Sequence, residues 1–332
     1  MTRVSISSSA TKRRSASDAL SIVTGELTRL LERGVIPWRA PWNPDLALAA
    51  TPGLPLRFTG QPYRGANVVL LWAAQIARGY TKRTWLSFRQ AVQLGGHVRK
   101  GEKATPIIFY GQAKAREDAA SVAAAGEAVS ERTYRFLKLF HAFNVEQIEE
   151  LPTHVGVEMA PTARDPSFVE HWLVRAGANV RIGGATAFYS PVTDAIHVPP
   201  LEAFTNEEHF ASTLLHEGVH FTGAKARLDR LADYHIDRKA RAREELVAEI
   251  GSAMLGAMIG FKPDHLEDHA AYVGDWLKLL RDEPKAFLSA AAKAQNAIDW
   301  LTERAGHPSG DDVVPGTEPP SSSNAVVENH SA

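Results

Sequence analysis

The chain has 332 residues, 44% of them hydrophobic, and a formal net charge of −1, so it is long enough for two ordinary domains and its overall charge selects no partner. It contains no cysteine, which excludes disulfides and thiolate-held metal and leaves His, Asp and Glu to bind any ion. No run approaches the roughly 18 to 20 unbroken apolar residues that span a bilayer, so the expectation is a soluble cytoplasmic protein with no membrane partner.

The opening MTRVSISSSATKRRSASDAL is basic and Ser-rich and lacks an apolar segment. Residues 1–16 therefore read as a disordered arm rather than a secretory signal. From Asp18 to Gly34, Leu20, Val23, Leu27, Leu30 and Leu31 recur at helical spacing. That helix stops at GVIPWRAPWNP, where a glycine and three prolines forbid continuation. Further helices are expected over 67–77 and 87–94. The Gly and Lys clusters of GGHVRKGEKATPIIFYG signal turns, TPIIFYG reads as a strand, and RTYRFLKLFHAFNVEQI reads as a second. Between them AKAREDAASVAAAGEAVSER, residues 113–132, carries little bulk and reads as a mobile insert.

EELPTHVGVEMAPTARDP has Pro, Gly and little apolar weight, which sets a linker at 153–164 between a domain of residues 17–152 and one of 165–306. A helix over Phe168–Arg175 and short strands at NVRIG, TAFYSP and AIHVPP follow. From Thr205 the pattern is helical almost to the end. The tail after Gly306, with four acidic and no Lys or Arg residues, reads as disordered over 307–332. The class is α+β: an N-terminal α/β domain and a C-terminal domain that is mostly helical with a small sheet.

Charge is uneven along the chain. Arg57 to Arg116 holds eleven Lys or Arg against one acid, Glu102. Aromatic residues are interleaved, among them Phe58, Tyr63, Trp72, Tyr80, Trp85, Phe88, Phe109 and Tyr110. Bases stack on aromatic rings with about 1–3 kcal/mol each, while phosphates pair with Lys and Arg. The segment is thus a candidate nucleic-acid surface, with Arg64, Asn67, Arg78, Lys82, Trp85, Arg99, Lys100 and Lys103 as candidate contacts. The competing reading is a core of aromatics beneath an ordinary solvated basic face.

LLHEGVHFTG places His216 and His220 four apart, one helical turn, with Glu217 beside the first. On a helix both imidazoles can face one ion, and Glu217 can reach a water on it and take its proton. Thr205 and Glu208 make a capping box for that helix. A catalytic zinc needs a third ligand from a later element, and REELVAEIGSAML supplies Glu245, with Glu249 one turn on to accept a hydrogen bond from a ligand histidine. The polar stretch AKARLDRLADYHIDRKAR is expected to loop over the metal face, where Tyr234 or His235 could steady an oxyanion. Zinc suits two imidazoles and a carboxylate; manganese or cobalt can occupy the same ligands. The competing reading is a helix that carries two histidines and a solvated glutamate face.

These residues resemble a known family, the ArdC-type antirestriction proteins, whose N-terminal module is shared with TraC-type DNA primases. The resemblance runs through YRGANVVLLWAAQIARGY, TWLSFRQAVQLGGHVRKGEKATPIIFYG and FHAFNVEQIEELP, then through FYSPVTDAIHVPPLEAF, TLLHEGVHFTGAKARLDR, REELVAEIGSAML and HAAYVGDWLKLL. It implies a single-stranded-DNA-binding domain followed by a zincin-like metallopeptidase domain. His216, His220 and Glu245 become the metal ligands, Glu217 the acid/base and Arg57–Arg116 the DNA surface. The implied role is protection of incoming plasmid or mobile-element DNA. Two positions depart from the family pattern: Ala224 stands where many members have histidine, and Ala242 where tyrosine is frequent. Three readings stay open: a DNA-binding antirestriction protein, a zinc peptidase acting on a protein partner such as a restriction enzyme, or a metal-held scaffold.

Overall fold

The computed structural model describes residues 16–38, 53–114, 133–158, 165, 167–260 and 269–308. The basic arm up to residue 15, the Ala-rich stretch 115–132, residues 159–164 of the expected linker and the acidic tail from 309 lie outside them. No helix among the described residues is long and apolar enough to cross a membrane.

The chain opens with helix α1 (Ala16–Glu32). Val23, Leu27 and Leu31 are buried along one face, as their spacing requires. After strand β1 (Leu56–Arg57) comes α2 (Ala66–Arg78), whose run of Val68, Val69, Leu70, Leu71 and Trp72 is buried on nearly every side. Gly79, in the left-handed conformation, caps it. Strand β2 (Thr84–Leu86), helix α3 (Phe88–Gln93), strand β3 (His97–Val98), the long strands β4 (Thr105–Lys114) and β5 (Thr133–Asn144) and strand β6 (Ile148–Glu149) complete the first part. They form a four-stranded sheet in the order β1-β2-β5-β4, parallel only between β1 and β2, and a separate β3–β6 pair. Ser87 and Gln90 close a reciprocal capping box on α3.

The second part runs α4 (Ser167–Arg175), β7 (Asn179–Ile182), β8 (Phe188–Ser190), β9 (Ala195–Val198), α5 (Glu207–Thr222), α6 (Arg238–Ile259), α7 (His269–Asp282) and α8 (Ala286–Ala305). Its sheet has the order β7-β9-β8, with β8 antiparallel at one edge. Helices α5 and α6 are buried on nearly all faces from Phe210 to Thr222 and from Glu244 to Gly256. The start of α5 differs from expectation by one residue. Asn206, not Thr205, is the cap, its side chain accepting the His209 N–H, while Thr205 Oγ1 instead meets the His209 ring.

A single hydrophobic cluster runs through both parts. Trp38 packs edge-on against Trp276. Thr24 donates to the Pro284 carbonyl, and the Gly65 N–H donates to the Gln295 side chain of α8. The segment after β6 adds a further tie: Glu158 accepts from the Arg83 N–H and the Thr84 hydroxyl.

Candidate metal centre

Helix α5 presents His216 and His220 one turn apart, and α6 crosses beside it. Two glycines set how closely. A Cβ on Gly251 would lie 2.8 Å from Val219 Cγ2, and one on Gly218 would lie 2.7 Å from Leu173 Cδ2. Gly218, which weakens an isolated helix, is therefore what lets α4 seat against α5, and Gly251 brings α6 onto the histidine turn.

The result is a buried triangle of donors. His216 Nε2 and His220 Nε2 are 3.1 Å apart, and Glu245 Oε2 lies 3.6 Å from the first and 3.8 Å from the second. The point equidistant from three atoms so spaced is about 2 Å from each, the length of a zinc–imidazole or zinc–carboxylate bond. These residues are the group of His, Asp and Glu among the described residues whose ligand atoms converge closely enough to share an ion. The donor set fits a divalent cation.

Each donor is held from behind. Glu249 Oε1 lies 3.6 Å from His216 Nδ1, and Glu244 Oε1 lies 3.4 Å from His220 Nδ1. Glu244 is in turn gripped by Arg230, Nη2 to Oε1 at 2.9 Å and Nε to Oε2 at 3.0 Å. Arg230 also donates to the Val219 carbonyl and the Thr222 hydroxyl. The Tyr234 hydroxyl donates to Glu245 Oε1, so Tyr234 braces the Glu245 carboxylate. Burial opposes a charged His220, but Glu244 and Glu245 outweigh it and hold its pKa well above the ordinary value. His216 is raised in the same way, against burial, chiefly by Glu245. Burial also opposes charge on Glu245, yet the two histidines drive its pKa far below the usual carboxylate range.

Glu217 reaches the other way. Its Oε2 accepts the backbone N–H of Tyr189 on edge strand β8 at 2.7 Å. That strand is locked by Arg227, which donates to the Tyr189 hydroxyl and to Asp194. Burial, reinforced by the hydrogen bond to Asp194, pushes the Tyr189 phenol up to about 12. A cavity of about 630 Å³ opens over the histidines, walled by Phe188, Tyr189, Glu217, Leu231, Tyr234 and His235. The 224–241 stretch thus covers this face, as its sequence position suggested. Glu244 and Arg230 carry no signal in the sequence, where Glu244 stands between Arg243 and Glu245, and Arg230 between Asp229 and Leu231.

The candidate DNA contacts separate into groups. Lys100 and Lys103 are exposed. Arg99 is exposed but pairs with Glu102 at 2.7 Å. Arg78 donates to the Lys103 carbonyl. Lys82 is half-buried, with its backbone held by Glu146 and Asn144. Arg64 pairs with Asp299 of α8. Trp85 is a correction: it is 1% exposed and packs edge-on against Tyr80, because every residue of the central strand β2 is buried, so its ring cannot stack on a base. Asn67 is also committed, its amide bonding both the N–H and the C=O of Ile108.

A two-histidine helix crossed by a glutamate helix, beside a small sheet whose edge strand holds the second glutamate, defines a zincin-like metallopeptidase domain, and the family model of that description matches residues 156–293. A second model, the N-terminal domain of the anti-restriction factor ArdC, matches residues 17–143. The metal-free crystal structure of the antirestriction ArdC protein from plasmid R388 is 38% identical, covering 87% of this chain and 98% of that one with a TM-score of 0.73. Its Mn(II)-bound form is 37% identical, covering 86% and 97%, with a TM-score of 0.70. An uncharacterized protein of Sinorhizobium fredii, y4eC, is 33% identical over 86% of this chain and 91% of its own length. A DNA primase TraC of Escherichia coli is 36% identical over 84% of this chain, which spans 26% of that longer protein. The chain belongs to the ArdC antirestriction family.

Proposed function

We propose that this protein protects incoming plasmid or mobile-element DNA by binding it as a single strand through residues 17–152, and that residues 165–306 hold one divalent ion on His216, His220 and Glu245. The observation that carries the metal assignment is the buried donor triangle with edges of 3.1, 3.6 and 3.8 Å. The Mn(II)-bound ArdC relative supports a divalent ion, and two imidazoles with one carboxylate favour zinc while accepting manganese or cobalt. Single-strand binding is supported by the N-terminal ArdC match, by the likeness to a DNA primase, and by the exposed Lys100 and Lys103. Arg99, Arg78, Lys82 and Arg64 belong to the same basic module.

A second reading, cleavage of a protein partner such as a restriction enzyme, is favoured by Glu217. When bound, the ion supplies Lewis acidity and an acidified water at neutral pH. The Tyr189 N–H holds one oxygen of Glu217, so the other can take and return a proton without the carboxylate swinging. Glu249, Glu244 and Tyr234 keep the ligand side chains in one orientation. The 630 Å³ cavity gives a peptide room beside that carboxylate.

Elemental analysis of the purified protein beside His220→Ala and Glu245→Ala tests the metal centre: about one ion per chain, lost in both variants, is expected. Glu217→Gln should keep the metal and abolish cleavage of any protein the wild type cuts. A wild type that cuts none while needing metal only for its melting temperature would leave the scaffold reading. Oligonucleotide binding should fall steeply with salt, because phosphate neutralisation releases counterions. It should also weaken in an Arg99→Ala/Lys100→Ala/Lys103→Ala variant.

A further inference from the structure

We propose that the solvent face of the β4–β5 hairpin is the platform on which bases of single-stranded DNA stack. The proposal rests on the DNA-binding reading above and gives that reading a place. In the antiparallel register Ile107 pairs with Phe140, Phe109 with Lys138 and Gly111 with Phe136, and directly opposed residues share a face. Three phenylalanines and a lysine therefore cluster there. Ring centroids are 6.2 Å apart for Phe109–Phe136 and 6.1 Å for Phe109–Phe140, and Lys138 Nζ sits 4.8 Å over the Phe136 ring. Phe109 is 51% and Phe140 49% exposed. The alternate residues Leu137 and Leu139 pack against the core instead.

The cluster is built rather than incidental. A Cβ at Gly111 would lie 2.4 Å from Phe136 Cζ and 2.8 Å from Phe109 Cε1, so only glycine lets the two rings converge over the backbone. Beside the rings a cavity of about 510 Å³ is walled by Phe109, Phe140, Arg57, Gln61 and His141, which offers polar groups to base edges. The segments around it, 56–63, 87–93, 105–114 and 133–144, contain no Asp or Glu, and they carry the exposed Arg57, Arg89 and Lys138. Exposed aromatic faces inside an acid-free basic field match a polyanion carrying planar bases. Strand addition by a second copy is opposed at the β4 edge, because Asn67 already takes both backbone groups of Ile108 there.

The test uses fluorescence anisotropy with two labelled probes of equal length, an oligothymidylate and its abasic counterpart. Wild type should prefer the probe with bases. Phe109→Ala/Phe140→Ala should bind oligothymidylate roughly tenfold or more weakly, since each stacked base contributes a factor of about five to over a hundred. The same variant should bind the abasic probe as wild type does, so that base preference collapses. Phe140→Trp, which keeps a ring, should retain the preference. The Arg99→Ala/Lys100→Ala/Lys103→Ala variant should weaken both probes alike. A double variant with wild-type affinity for oligothymidylate would overturn the platform and leave the DNA-binding reading standing; a wild type that binds neither probe would overturn both. If sedimentation shows that the wild type is dimeric and the double variant monomeric, the face joins two copies and the platform is likewise overturned.

Discussion

Replacing Glu244 by glutamine separates the charge behind His220 from the volume that fills its place. Glu244 Oε1 lies 3.4 Å from His220 Nδ1, and the two carboxylate oxygens take Arg230 at 2.9 and 3.0 Å. Both partners are buried, each 4% exposed at the side chain. Glutamine keeps one acceptor for Arg230 but leaves its guanidinium without a counter-charge. Breaking a buried pair from one side costs about 3–5 kcal/mol. Because Arg230 keeps the Val219 carbonyl and the Thr222 hydroxyl, the lower end, about 3 kcal/mol, is expected. Losing a carboxylate behind a ligand histidine should also weaken metal binding by about 10- to 100-fold. Urea unfolding in the presence of a chelator reads the first effect, and competition against a chromophoric chelator reads the second. Glu244→Leu combined with Arg230→Met removes both charges, so stability should recover toward wild type while metal affinity stays low. A folded Glu244→Gln protein with wild-type metal affinity would refute the idea that Glu244 orients His220.

Other perturbations probe the same centre. Gly251→Ala should gain up to about 1 kcal/mol in helix propensity yet destabilise by about 1–3 kcal/mol net, because its Cβ would meet Val219 Cγ2 at 2.8 Å; thermal melts should show recovery when Val219→Ala is added. Tyr234→Phe removes the hydroxyl that donates to Glu245 and should lower metal affinity about tenfold with little change in unfolding by urea. The raised pKa values of His216 and His220 give the pH dependence a definite sign. In metal-free protein the stability from protonated rings is fully present below the ordinary histidine pKa of about 6.5 and is lost as pH rises through the raised values. Metal competes with those protons, so its affinity climbs over the same window. The gap in melting temperature between zinc-loaded and chelator-treated protein should therefore widen from pH 6 upward, and a gap constant with pH would contradict the assignment.

Spacing made part of this centre legible. Four-residue intervals put His216 with His220 and Glu245 with Glu249 on common helix faces, and those are the faces that meet. Adjacent residues on a helix point about 100° apart, so nothing in the sequence says that Glu244, next to Glu245, also turns toward the histidines; the crossing of α5 and α6, set by Gly251 and Val219, decides that. The same limit explains the N-terminal part. Trp85 stands among basic residues, but TWL lies in a strand enclosed on both faces, which composition does not reveal. Phe140 lies beyond the window of high positive charge and reads as one more apolar strand residue. Only the register that sets it beside Phe109 turns it outward as part of a surface. The extent of the shared core was also hidden, since contacts such as Trp38 with Trp276 join positions that no local pattern relates.

That shared core bears on how the protein is made. Helix α8, residues 286–305, leaves the ribosome well after α2, residues 66–78, yet it packs against it, and α1 rests on α7. At about 5–20 residues per second, roughly ten to thirty seconds separate the completion of β5 from the arrival of α8. Through that interval the part of α2 that meets α8 waits for its cover. A nascent chain stalled before α8 should therefore stay open to protease around α2 and bind chaperones there, and it should close only when α8 docks.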